Sequence, residues 1–129
     1  MIRDGDGQIS FATRDKQAAC VRGVVNKEWT SIVVDSASTA NLISLQFITR
    51  HSKLSAVKKM SSGYEAMLAN GDEFVSHDLI MLEAKLAGLV YQVEFMVVEK
   101  PPNDMVLGIS FLINTKSNVD FWNDKLVFA

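Results

Sequence analysis

The chain has 129 residues, 48% hydrophobic and 22% charged, a balance that supports one packed domain rather than a disordered segment. Thirteen basic against fifteen acidic residues give a formal charge of −2, leaving no basic field to hold a phosphate backbone, so nucleic acid is not an expected partner. The single Cys20 excludes an intramolecular disulfide and a cysteine cluster for zinc, and it fits a reducing, intracellular setting. Residues 1–6 lack the apolar stretch of a signal peptide and no run reaches membrane-spanning length, so no membrane partner is expected.

In chain order, residues 1–17 are polar and Gly-rich, with Ile9 and Phe11 the only plausible anchors. The expected division is a flexible arm over 1–16 and one domain over 17–129. Cys20 to Val25 and Trp29 to Val34 are apolar, β-branched runs around Asn26-Lys27-Glu28, the pattern of a hairpin. Ser44 to Arg50 carries Leu45, Phe47 and Ile48 at helical spacing, with Ser44 placed to cap a short helix. Tyr64 to Leu68 and Glu73 to Ser76 flank Ala69-Asn70-Gly71-Asp72, where Asn-Gly offers the two positive-φ positions of a two-residue turn. Leu79 to Leu86 and Leu89 to Val98 read as two further strands joined near Ala87-Gly88. In the second, Val93, Phe95 and Val97 alternate with Gln92, Glu94 and Met96. Lys100 to Asp104 is a Pro-containing loop, Met105 to Gly108 a short buried strand, and Ile109 to Asn114 a brief helix. Val119 to Trp122 and Lys125 to Phe128 close the chain as a hairpin over Asn123-Asp124. About eight strands and two helices, with turn signals at short intervals, predict an all-β barrel-like domain.

Three segments in register resemble the retropepsin family, most closely the proteases of gypsy-type and related LTR retrotransposons. The first is Ile32-Val33-Val34-Asp35-Ser36-Ala37-Ser38-Thr39-Ala40-Asn41-Leu42-Ile43-Ser44: an apolar strand, Asp-hydroxyl-small residue, then Asn-x-Ile-Ser opening a helix. The second, Leu68-Ala69-Asn70-Gly71-Asp72, is similar to the family's flap hairpin. The third is Asp104 to Leu112, with its apolar-apolar-Gly strand at Val106-Leu107-Gly108, followed by Val119-Asp120-Phe121-Trp122. The resemblance covers about residues 17–129. It implies a closed acid-protease barrel lobe with one or two short helices, working as a homodimer without cofactor or metal.

The chemistry explains those residue types. Hydrolysing an amide without a metal or covalent intermediate requires one carboxylate to activate water while a second group donates a proton. Two Asp side chains at hydrogen-bonding distance share a proton and divide these roles. Asp78, Asp104, Asp120 and Asp124 lack the following hydroxyl and small residue, so the expected dyad is Asp35 from each of two subunits across a two-fold axis. The resemblance further implies that Ser36 ties the two active-site loops together beneath the dyad. Ala37 would contribute backbone groups to the carboxylate and substrate, with Ser38 and Thr39 completing the loop. Leu68 to Asp72 would close over a bound peptide, and Leu107 and Gly108 would pack against the Asp35 loop.

One departure stands out: Ala37 occupies a place where the family usually has Gly. Ala keeps the N–H and C=O, and fails only where positive φ is demanded or where its methyl meets the partner loop. The expected activity is therefore an aspartic endopeptidase that processes a retroelement polyprotein inside the cell or within retroelement particles. The alternative is a weak or inactive module for dimerisation or peptide binding. Outside these segments, His51 and His77 read as surface residues, Cys20 as a small buried hydrophobe, and Trp29 and Trp122 as core or interface anchors.

Overall fold

A computed structural model describes residues 7–14, 19–51, 53, 56–68, 71–101 and 103–128. Among them are eleven strands and two six-residue helices. Strands β3 (Ala19–Val25) and β4 (Glu28–Val34) form the first hairpin, paired from Ala19↔Val34 to Val25↔Glu28. Asn26 and Lys27 turn it with φ of 51° and 67°, the left-handed pair that matches strand twist in a two-residue turn. After β4 come β5 (Leu42–Ser44) and helix α1 (Leu45–Arg50). The Ser44 hydroxyl accepts the Phe47 N–H at 3.0 Å, as an N-cap should.

The long hairpins follow. β6 (Lys58–Met67) pairs with β7 (Glu73–Leu86), which turns through Ala87 and Gly88 (φ 53° and 78°) into β8 (Leu89–Val98). The two runs expected as separate strands, Glu73 to Ser76 and Leu79 to Leu86, are thus one continuous strand. Asp78 and its neighbours are polar in sequence, but Asp78 pairs with Lys59 and Ser76 with Tyr64 on β6, and the Ser76 hydroxyl donates to Val97 O of β8 at 2.6 Å, so the strand carries through. β9 (Met105–Leu107), helix α2 (Ile109–Asn114), β10 (Asn118–Asp120) and β11 (Lys125–Val127) complete the chain.

Six strands close into a ring: β3, β4, β9, β5, β8 and β7, with β7 returning to β3 through Val24↔Lys85 and Val25↔Ala84. Closure removes two sheet edges that would otherwise be open to other chains. Two pairings in the ring are parallel, β4 with β9 and β5 with β8. The interior is filled by alternate residues, including Val21, Val25, Ile32, Val34, Phe95 and Leu107, each at most 1% exposed. Burying a side chain of this size contributes about 1.5–3 kcal/mol, which makes the ring the rigid part of the molecule. A second cluster, Leu42, Ala66, Leu68, Leu79, Met96, Val98 and Val106, lies on the other face, so Met96 is buried although it alternates with the Val93-Phe95-Val97 set.

Within the 1–16 stretch, β1 (Gln8–Ser10) pairs with β11 and β2 (Thr13–Arg14) pairs with the start of β3. Ile9 enters the main core at 7% exposure, and β1, β11 and β10 form a small antiparallel sheet. An aromatic group of Tyr91, Phe111 and Phe128, with centroids 5.3–6.2 Å apart, joins β8, α2 and the end of β11.

Candidate active site

Asp35 stands at the open end of β4, one residue beyond the Val34↔Leu107 pair with β9. Its N–H donates to Leu107 O at 2.9 Å, continuing the parallel ladder by one step, and its C=O accepts the Ser38 N–H at 3.0 Å. The chain turns sharply there because Ala37 N–H donates to Asp35 Oδ1 at 3.0 Å, an Asx-type turn that fixes the carboxylate. Asp35 is 7% exposed. No hydrogen bond within the described residues reaches its Oδ2, and none of their buried side-chain oxygens lacks a partner, so Oδ2 retains contact with solvent. An acid held by one oxygen and presented by the other is suited to exchange a proton with a ligand.

The loop is clamped from below. Gly108 N–H donates to Asn41 Oδ1 at 2.9 Å, Asn41 Nδ2 donates to Glu94 O at 3.2 Å, and Ile109 N–H donates to Ser38 O at 2.9 Å. Buried Ser38 turns its hydroxyl to Ala40 O at 2.8 Å. Gly108 is required by space: a Cβ there would lie 2.5 Å from Ala40 O and 2.6 Å from Ser38 O, both backbone atoms. Leu107 is fully buried beside it. Asn41 is the residue that reading for chemistry passed over. It belongs to the Asp35 segment in sequence, but its contacts are 53 and 67 positions away and no local signal reveals them.

Ser36 and Ala37 are exposed at the loop tip. The non-glycine residues with positive φ among the described residues are Asn26, Lys27, Ala87, Lys116 and Asp124, so the backbone at Ala37 does not demand glycine.

The hairpin of β6 and β7 reaches the same loop. Thr39 N–H donates to Met67 O at 3.1 Å, and Met67 N–H donates to Thr39 Oγ1 at 2.9 Å. Leu68 is buried against the second apolar cluster, with Ala40 and Phe74 beside it. The tip is not the two-residue turn expected. Leu68 N–H donates to Asp72 O at 2.9 Å, leaving three residues between them, and Gly71 takes φ of 89° and donates to Leu68 O. Ala69 and Asn70, both expected at this tip, lie outside the described residues. The structure therefore brings Asp35, Ser36, Ala37, Ser38, Thr39, Leu107 and Gly108 into one constellation, with Leu68 over it and Gly71 and Asp72 at the hairpin end.

Other acids are committed to structure. Asp104 accepts from Ser44 Oγ at 2.7 Å and from Arg50 at 3.0 Å, and the Ser44 hydroxyl, then the guanidinium, hold its carboxyl below the usual range against partial desolvation. Asp120 is lowered by its bonds to Asn123, side chain then backbone. His51, expected at the surface, stacks on Phe47 at 4.1 Å and meets Glu28 at 3.0 Å, because the end of α1 packs against the β3–β4 hairpin. Trp29 and Trp122, expected as anchors, are 69% and 94% exposed in this chain. Among the described residues no group of three His, Cys, Asp or Glu side chains is placed to hold a metal ion, and no helix is long and apolar enough to cross a membrane.

The chain matches no family model, and no curated protein is significantly similar to it in sequence. Its three-dimensional likenesses are specific. The retroviral protease-like domain of Ddi1 from Leishmania major superposes with a TM-score of 0.63 at 17% identity, over 89% of this chain and 95% of that one. A retropepsin-like aspartic protease from Rickettsia conorii gives 0.65 at 20% identity, over 95% of this chain and 89% of that one. The fold is retropepsin-like. In a retropepsin-like lobe of this kind, the ring of six strands is the platform, the Asp35 turn stands at its rim, and the β6–β7 hairpin leans over the turn.

Proposed function

We propose that the protein is an aspartic endopeptidase that acts as a homodimer, with one Asp35 from each subunit sharing a proton and activating water. The observation that carries this reading is the Asp35 carboxylate itself: Oδ1 is anchored by Ala37 N–H, Oδ2 is unbonded, and the whole turn is braced by Leu107 and Gly108. A single lobe holds one such acid, so a second copy is needed to complete the acid–base pair. Exposed Ser36 supports the same arrangement, since its hydroxyl is free to reach a partner loop. A peptide substrate would lie beneath the β6–β7 hairpin and bond to the main chain of the flap and of the Asp35 loop, in the manner of strand addition. The likeness of the Asp35–Ser44 segment to gypsy-type proteases favours a retroelement polyprotein as substrate and an intracellular setting. The test is Asp35→Asn assayed on a polyprotein fragment. Loss of cleavage by at least about 10³-fold, with the melting curve unchanged, is expected; a cleaving Asp35→Asn protein removes Asp35 from the mechanism.

The second reading, a dimerisation or peptide-binding module without activity, rests on Ala37. The absence of positive φ at Ala37 favours the active enzyme. Ala37→Gly separates the two readings: activity that emerges only in the Gly variant supports the module, whereas an active wild type rejects it.

A further inference from the structure

The outer face of a small barrel is ordinarily polar, yet one row across this barrel carries three apolar residues and a single lysine. Successive cross-strand pairs Trp29↔Val24, Val24↔Lys85 and Lys85↔Val90 set these four residues side by side on β4, β3, β7 and β8, all on one face. Trp29 is 69% and Val90 57% exposed. At about 4.8 Å between strands, the row is about 14 Å long. Arg22 lies two residues from Val24 on the same face, and Phe11, in the segment after β1, rises beside it. Trp29, Val24, Arg22, Lys85 and Phe11 line a cavity of about 440 Å³. Neither Arg22 nor Lys85 makes an ion pair among the described residues, whereas Arg50 and Lys59 both do.

We propose that this cavity is a binding site for a small organic anion with an apolar body, an aliphatic or aromatic carboxylate. The apolar part would cover Trp29, Val24 and Phe11, and the carboxylate would sit between the guanidinium of Arg22 and the ammonium of Lys85. Its size is within the range of small-molecule clefts, and its make-up follows theirs: a mainly apolar wall with few polar groups that fix orientation. Two unpaired cations beside an exposed apolar row select against cationic and neutral ligands of the same shape. Trp29 is six residues from Asp35 along one extended segment, about 20 Å at 3.3 Å per residue, so the site is separate from the Asp35 turn and does not depend on its chemistry.

The test uses the full chain carrying Trp122→Phe, so that Trp29 is the sole tryptophan emitter, with octanoate as the probe and octylammonium as its charge-reversed match. Calorimetry is expected to show saturable octanoate binding at least about tenfold tighter than octylammonium, with a parallel change in Trp29 emission. Arg22→Gln with Lys85→Gln is expected to weaken binding at least about tenfold, while Asp35→Asn leaves it unchanged. Lys85→Glu, a single exposed change, gives the same loss should the double variant fold poorly. Absence of saturable binding, equal binding of octylammonium, or full affinity in the folded charge variants would each overturn the site.

Discussion

Asp35 and Asp104 lie at opposite ends of the parallel β4–β9 pair, one just after β4 and the other just before β9, and the fold uses them in opposite ways. Asp104 has both carboxylate oxygens engaged, by Ser44 and Arg50, and its backbone C=O accepts the Ser44 N–H as well. It is a clasp that pins the start of α1 to the loop before β9. Asp35 is more deeply buried, yet only one of its oxygens is held by the protein. Burial costs a carboxylate solvation, and a fold that retains an acid without satisfying it fully keeps that acid available to something else. The difference teaches that the acid suited to chemistry is recognised by what its side chain leaves unbonded rather than by charge or depth.

Perturbing the platform under each acid sharpens that contrast. The largest effect is expected from Gly108→Ala, because the added methyl meets two backbone carbonyls, Ser38 O held by the Ile109 N–H and Ala40 O held by the Ser38 hydroxyl. A loss of about 3 kcal/mol in urea unfolding is expected, and near-wild-type stability would mean that the crossing beneath Asp35 is loose. Ser44→Ala comes next. It removes both the cap of α1 and the first partner of Asp104, and should lower stability by about 1–2 kcal/mol, with Ser44→Thr restoring part of it.

Thr39→Val probes the region between the barrel and the β6–β7 hairpin. It deletes the hydroxyl that accepts the Met67 N–H, and about 0.5–1 kcal/mol is the expected cost. Faster amide exchange at Met67 is the specific readout, and unchanged exchange would show that the Thr39 bond does not tether the hairpin. The smallest effect belongs to the clasp's titration. The Asp104 carboxyl is lowered in the folded chain, so its contribution is complete above the ordinary carboxylate value and disappears as pH falls through the folded one. Because the side chain is 43% exposed, the contribution is a few tenths of a kcal/mol at most. The unfolding midpoint of Asp104→Asn should therefore approach that of the wild type between about pH 5 and pH 3; a gap that stays constant over that range would contradict the role given to its charge.

Much of this was legible in the chain. The Asn26-Lys27 turn, the Ser44 cap and the apolar run into Asp35 are local signals, each set by residues within a few positions of one another. The Ala87-Gly88 turn is of the same kind. What was not legible depends on partners far along the sequence. Asn41 gains its meaning from Glu94 and Gly108, and Thr39 from Met67. The continuity of β7 through Ser76, His77 and Asp78 follows from pairing with β6 and from the Ser76 hydroxyl bond to Val97 O, which outweigh a polar stretch that would otherwise suggest a break. His51 looked solvated because its Glu28 contact lies 23 positions away, although Phe47, one helical turn before it, was a local signal for the stacking.

The most direct test of the central idea is to refold wild type together with a growing proportion of Asp35→Asn chains and to measure peptide cleavage per wild-type subunit. If two subunits each supply one acid, mixed dimers are dead, and at equal proportions random pairing leaves about one half of the original activity per wild-type chain, declining further as the variant is added. Activity per wild-type chain that stays constant at every mixing ratio would contradict the shared dyad and return Asp35 to a single lobe working alone.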